Sequence, residues 1–171
     1  MLYIIYDSAL NGLPGLIALQ HLFPVHCSLF RGTRDEMLSD VAPYLFLVVE
    51  DFTQRISGLD VPLEGLLVME SERELEKLAA HFQRFIYQTV NKKEYFFRFW
   101  DARVLQKFLP TCEESQLIMF FDGVKSYSLK SETGLKQFVF TSYGLQTTKV
   151  DLGKPGYVLG KAKEIEGELV A

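Results

Sequence analysis

Four carboxylates close apolar stretches of strand length. Asp7 follows residues 2–6, Asp51 follows 44–49, Glu70 follows 63–69 and Asp101 follows 95–100. In an open α/β sheet the C-terminal ends of the strands are where ligands bind. Carboxylates gathered on that edge could hold a metal ion or exchange protons with a substrate. The alternative, which we favour, is architectural. Each of these residues sits at or near the start of a predicted helix, where an acidic side chain accepts hydrogen bonds from orphan N–H groups and meets the positive end of the helix dipole. On this reading no metal ligand and no catalytic residue is expected among them.

The other reactive residue types are dispersed. His21, His26 and His81 are far apart, and His81 sits beside an apolar helical stripe, where a packing role is the expectation. Cys27 lies in an apolar segment and reads as buried. Cys112 falls in the first turn of a predicted helix, which favours a thiolate, yet no His lies near it in sequence to act as a base. There is no Gly-rich phosphate loop, nucleophile elbow, paired-His zinc helix or Cys-x-x-Cys pair. No cofactor is expected, and the chain reads as a binding protein, not an enzyme.

Arg98 stands out. In a strand over residues 95–100, alternation places Phe96, Arg98 and Trp100 on one face and Tyr95, Phe97 and Phe99 on the other. An arginine between two aromatic side chains is expected to be partly buried, to stack on Trp100 and to need a carboxylate, with Asp7, Asp101 and Asp122 as candidates. The bland role is a structural ion pair. The functional one is an interface anchor, because Arg and Trp are typical hot-spot residues.

The elements that would position these residues follow from periodicity. Strands are predicted over 2–6, 27–30, 44–49 and 63–69, and a helix over 13–23 with Pro14 tolerated in its first turn. The strongest helix signal runs over 72–87, where Leu75, Leu78, Ala79, Phe82 and Ile86 form one stripe and Ser71 with Glu74 forms a capping box. A short helix follows Asp101, and a second capping box at Thr111 and Glu114 opens another. Beyond Gly123 the texture changes to Ser, Thr, Lys and Gly, with strand-like segments at 126–129, 136–141 and 145–150. The expected fold class is α/β or α+β, a mixed β-sheet flanked by helices, over residues 1–123. A small β-rich C-terminal appendage and tail would occupy 124–171, with 161–171 a frayed helix or disordered.

The 171 residues suit one domain, or one with a small addition. A net charge of −4 argues against a nucleic-acid partner, which calls for a basic patch. No basic n-region with a signal-length apolar stretch is present, and no apolar run reaches membrane-spanning length, so no membrane association is expected. Two cysteines make no disulfide framework, which fits a reducing, cytoplasmic location.

Several stretches resemble one known family, the effector adaptor-chaperones of bacterial type VI secretion systems, long catalogued as a domain of unknown function. Residues 95–105, YFFRFWDARVL, are similar to its central signature, with Trp100 where the pattern has Tyr and Ala102 where it has Pro. Ala102 is a mild departure, since a good helix former serves well at the first helical position. Residues 3–9 (YIIYDSA), 29–33 (LFRGT), 42–45 (APYL), 65–71 (GLLVMES) and 120–123 (FFDG) resemble the family's other segments, in its order. The resemblance implies a protein that binds a specific effector toxin and the VgrG spike protein, and that stays in the producing cell.

On that basis the corner carrying Arg98, Trp100, Asp101 and Arg103 is expected to be a rigid platform. Phe138 and Phe140, on one face of the predicted strand 136–141, are expected to offer an exposed strand for β-augmentation by the effector. Two other readings compete. An immunity-type protein that neutralises a toxin would be equally small and acidic. A small hydrolase would require Asp7, Glu70 and Asp101 to converge.

Overall fold

Strand β1 (Leu2–Asp7) lies at the heart of the structure. Its alternation sends Tyr3 and Ile5 into one apolar cluster and Ile4 and Tyr6 into another, and all four are fully buried. A strand covered on both faces needs layers on both sides. The computed structural model describes residues 1–49, 62–131 and 134–150.

After β1 come a short helix α1 (Ser8–Asn11), helix α2 (Leu13–Leu22), strand β2 (His26–Ser28), a 3-10 turn (Glu36–Val41) and strand β3 (Pro43–Val48). Strand β4 (Leu67–Ser71) leads to helix α3 (Leu75–Ile86), followed by the hairpin of β5 (Tyr87–Val90) and β6 (Lys93–Phe96). Helix α4 (Ala102–Phe108), a 3-10 turn (Leu109–Thr111) and helix α5 (Glu114–Phe120) precede strands β7 (Val124–Ser131), β8 (Gly134–Thr141) and β9 (Gly144–Val150).

The fold is α+β. Among the described residues, seven strands form one sheet in the order β2-β3-β1-β4-β7-β8-β9, and β5 with β6 forms a separate two-stranded ribbon. Every pairing among the described strands is antiparallel, so the expected mixed sheet is corrected. The reason lies in the connections. A strand–helix–strand crossover makes a parallel neighbour only when the second strand lands beside the first in the same direction. Here α2 delivers the chain to β2 at the sheet edge, and β3 returns between β2 and β1.

Helix α2 packs on one face through Leu16 and Leu19, and Phe23 just beyond it joins the same cluster. Helices α3, α4 and α5 cover the other through Leu78, Phe82, Ile86, Leu105, Leu117 and Phe120. The three large fully buried side chains of α3 contribute about 5–9 kcal/mol before entropy is subtracted. Its predicted stripe is present, but the helix starts later than expected. Glu74 takes the N-cap position, and the Ser71–Glu74 capping box does not form. Ser71 instead ends β4 at a bulge, where its Oγ accepts from Arg73 N and donates to Gly123 O at 2.6 Å. The second capping box is displaced too: Gln116 Oε1 accepts from Glu113 N, two residues beyond the predicted Thr111–Glu114 pair.

The predicted strands beyond Gly123 all exist, but they extend the main sheet. β7 pairs with β4 from Leu67↔Leu129 to Ser71↔Val124, and Tyr127 and Phe138 belong to the main core. The tail 151–171 lies outside the described residues. No helix among the described residues is long and apolar enough to cross a membrane.

Candidate functional site

Asp7 ends β1 and caps α1, its Oδ1 accepting from Ala9 N at 3.1 Å. Its other oxygen, Oδ2, accepts from Arg98 Nη2 at 2.6 Å and from Trp100 Nε1 at 3.2 Å. The carboxylate is 2% exposed, while the Arg98 side chain is 41% exposed. Asp7 is thus a fully engaged acceptor at the bottom of the site, and the arginine covers it from the solvent side. Of the three carboxylates considered for Arg98, the fold selects Asp7, 91 residues away in sequence.

The strand expected over 95–100 is shorter and earlier than predicted. β6 stops at Phe96, and residues 99–100 form a turn. The turn brings Trp100 edge-on to Phe30 and Phe96, with centroids 6.1 and 5.7 Å apart. Such edge-to-face pairs add to the burial of the rings. The indole N–H is directed at Asp7, so Trp100 is both a buried wall and a hydrogen-bond donor.

Asp101 caps α4 as predicted, its Oδ1 accepting from Arg103 N at 2.9 Å. Arg103 also grips it with two parallel bonds, Nε to Oδ1 at 3.0 Å and Nη2 to Oδ2 at 2.8 Å. The hydrogen bond from Arg103 holds the Asp101 carboxyl below the usual carboxylate range, against the opposing effect of burial. Arg103 itself is largely exposed.

Segments that resemble one family in sequence touch one another in space. Ser8 Oγ donates to Ala42 O, joining residues 3–9 to 42–45. Phe30 of the LFRGT segment meets Trp100. Ser71 meets Gly123, joining 65–71 to 120–123. Gly123 has φ +76°, and a Cβ there would collide with the Arg73 side chain, which reaches across to Asp122 at 2.6 Å. The shared residue pattern is therefore a set of tertiary ties, among which Asp7 and Phe30 meet the corner at Arg98 and Trp100.

The sites expected from sequence divide. Arg98, Trp100, Asp101 and Arg103 form this corner. Phe138 and Phe140 lie apart from it, and their expected role is corrected. β8 is paired on both sides, by β7 and β9, so its backbone has no edge to offer. Phe138 is 0% exposed and Phe140 is half-buried against Phe121. The strand-end carboxylates do not converge: among the described residues no group of three His, Cys, Asp or Glu side chains is placed to hold a metal ion. Asp7 and Asp101 are helix caps, whereas Glu70 lies within β4 and caps nothing. Asp51 lies outside the described residues.

Burial raises the thiols of Cys27 and Cys112 to about 11. Cys112 precedes the Glu113 cap of α5 and donates to Phe108 O, so the expected thiolate-favouring position is not realised. His81 is packed as expected. It is 2% exposed, and burial lowers its pKa to about 4. A neutral ring suits its neighbours: Nε2–H donates to Phe120 O at 3.3 Å, and Nδ1 accepts from Arg84 Nη2 at 2.7 Å.

Sequence reasoning missed the β5–β6 ribbon and the surface it builds. One signal was there. Asn91 and Lys92 both have positive φ, as a two-residue hairpin turn requires, and Asn is favoured in such turns.

Fold and site define an antiparallel α+β scaffold whose shared motif residues serve to lock its segments together. The chain belongs to the family described as Domain of unknown function (DUF4123), whose family model matches residues 2–118. The match takes in the whole corner and ends within α5, before β7. Neither the curated proteins nor the solved structures contain a match to the chain.

Proposed function

We propose that this protein is an adaptor-chaperone of a type VI secretion system, which binds a specific effector in the cytoplasm and presents it to the VgrG spike protein. The observation that carries the reading is the family match over residues 2–118, joined to the resemblance of residues 95–105 to the adaptor signature. The site is consistent with a binding role. Asp7 and Asp101 are engaged by Arg98, Trp100 and Arg103, as parts of a scaffold. The corner gives a rigid base, and the binding surfaces lie on the elements around it.

Co-expression with a toxin and a VgrG protein from the same type VI secretion system tests this reading. A complex of chain and toxin that also engages VgrG is expected. Neutralisation of the toxin with no VgrG association would favour the immunity-type alternative and overturn the adaptor assignment.

A further inference from the structure

The C-terminal end of α3, the β5–β6 ribbon, Phe97, α4 and α5 enclose a groove of about 520 Å3. Its walls are apolar: Phe85, Val90, Tyr95, Phe97, Phe108 and Met119, with Phe120 also lining it. Three of these are unusually exposed for their type, Val90 at 53%, Tyr95 at 51% and Met119 at 54%. A recessed cluster of exposed apolar side chains marks an interaction surface, and the volume is that of a ligand or peptide site.

The polar lining is one-sided. Among the described residues it consists of Arg84 and the amides of Gln88 and Gln116, with no acidic residue and no other cation. No carboxylate among the described residues pairs with Arg84. Instead His81 accepts from its guanidinium through both Nδ1 and the main-chain oxygen, which fixes the head group at the rim. Phe85 lies beneath it, 5.8 Å from the ring centroid. Asp122, already paired with Arg73, is the acid whose charge Arg84 feels, so an anchored cation with no salt bridge of its own among the described residues stands beside the apolar trough. That arrangement is complementary to an apolar segment that carries a carboxylate.

We propose that this groove docks a short amphipathic helix of a partner protein, with apolar side chains at i, i+3 or i+4 in the trough and an Asp or Glu on Arg84. This helix-in-groove arrangement is a common mode of peptide recognition. The proposal deepens the adaptor reading and rests on it only in supposing that the chain binds another protein. A single cation offers too little charge for a nucleic acid or an anionic membrane surface.

A displayed library of random helical peptides, selected on the full chain and counter-selected on Val90→Glu/Met119→Glu, tests the groove independently of any effector. Both substituted residues are about half exposed, so the variant should fold. The selected consensus should show apolar residues at helical spacing with one conserved acid. Arg84→Glu should weaken such peptides at least tenfold, and changing the peptide acid to Lys should restore binding to Arg84→Glu. Peptides that bind the counter-selection variant equally well, or that show no acidic preference, overturn the proposal. So does the absence of any consensus together with a wild-type dimer that Met119→Glu dissociates, which would assign the groove to a second copy of the chain. If the co-expressed toxin binds Val90→Glu/Met119→Glu normally and the library yields no consensus, the groove falls while the adaptor reading stands.

Discussion

Breaking the Asp7–Arg98 contact from either side should give coupled losses of different origin. Arg98→Ala leaves a carboxylate that is 2% exposed with only the Trp100 and Ala9 N–H donors. Breaking a buried pair costs about 3–5 kcal/mol, and the two remaining donors place this variant near about 3 kcal/mol. Asp7→Ala leaves a guanidinium that is already 41% exposed and can turn to water. Its cost comes from elsewhere: about 1–3 kcal/mol for the buried Trp100 N–H without an acceptor, and about 1 kcal/mol for the lost cap of α1. The double variant should cost less than the sum, with a coupling of about 2 kcal/mol. Urea unfolding of the wild type, both single variants and the double, followed by Trp100 fluorescence and by circular dichroism, measures all four corners of the cycle. Single variants within about 0.5 kcal/mol of wild type, or strictly additive losses, would refute the claim that this contact holds β1 to the corner.

Asp101→Ala should cost about 1–2 kcal/mol through loss of the α4 cap, and Arg103→Ala should cost less because its side chain is 66% exposed; thermal melts of the two separate these roles. His81 should make stability depend on pH. Its folded pKa is depressed from 6.5 to about 4, so below pH 6.5 the unfolded chain takes up a proton that the folded chain does not. The His81 contribution to stability therefore falls by about 3 kcal/mol as pH drops from 6.5 to about 4, and His81→Gln should flatten the slope in urea titrations at pH 7, 5.5 and 4. Equal slopes for variant and wild type would contradict a neutral buried ring. Phe138→Ala should cost about 3–5 kcal/mol, as for a fully buried aromatic, whereas an exposed docking residue would leave the denaturation midpoint unchanged.

Much of the fold could be read along the chain because it rests on local periodicity and local caps. The apolar stripe of α3, the continuous apolar run of β3, Pro14 in the first turn of α2 and the Asp101 cap of α4 each depend on residues within a turn or two of one another. The alternation of Phe138 and Phe140 was legible for the same reason. Whether their face met water or a core was not, since that depends on β7 and β9 lying on either side of β8.

The partner of Arg98 had the same character. Three carboxylates were chemically equivalent candidates, and only the tertiary fold brings Asp7, at the end of β1, to 2.6 Å from Arg98. Side-chain type and spacing say which groups must be satisfied and which residues share a face. Which distant group satisfies them, and which face is covered, is set by contacts across tens of residues, whose geometry exists only once the sheet has closed around β1.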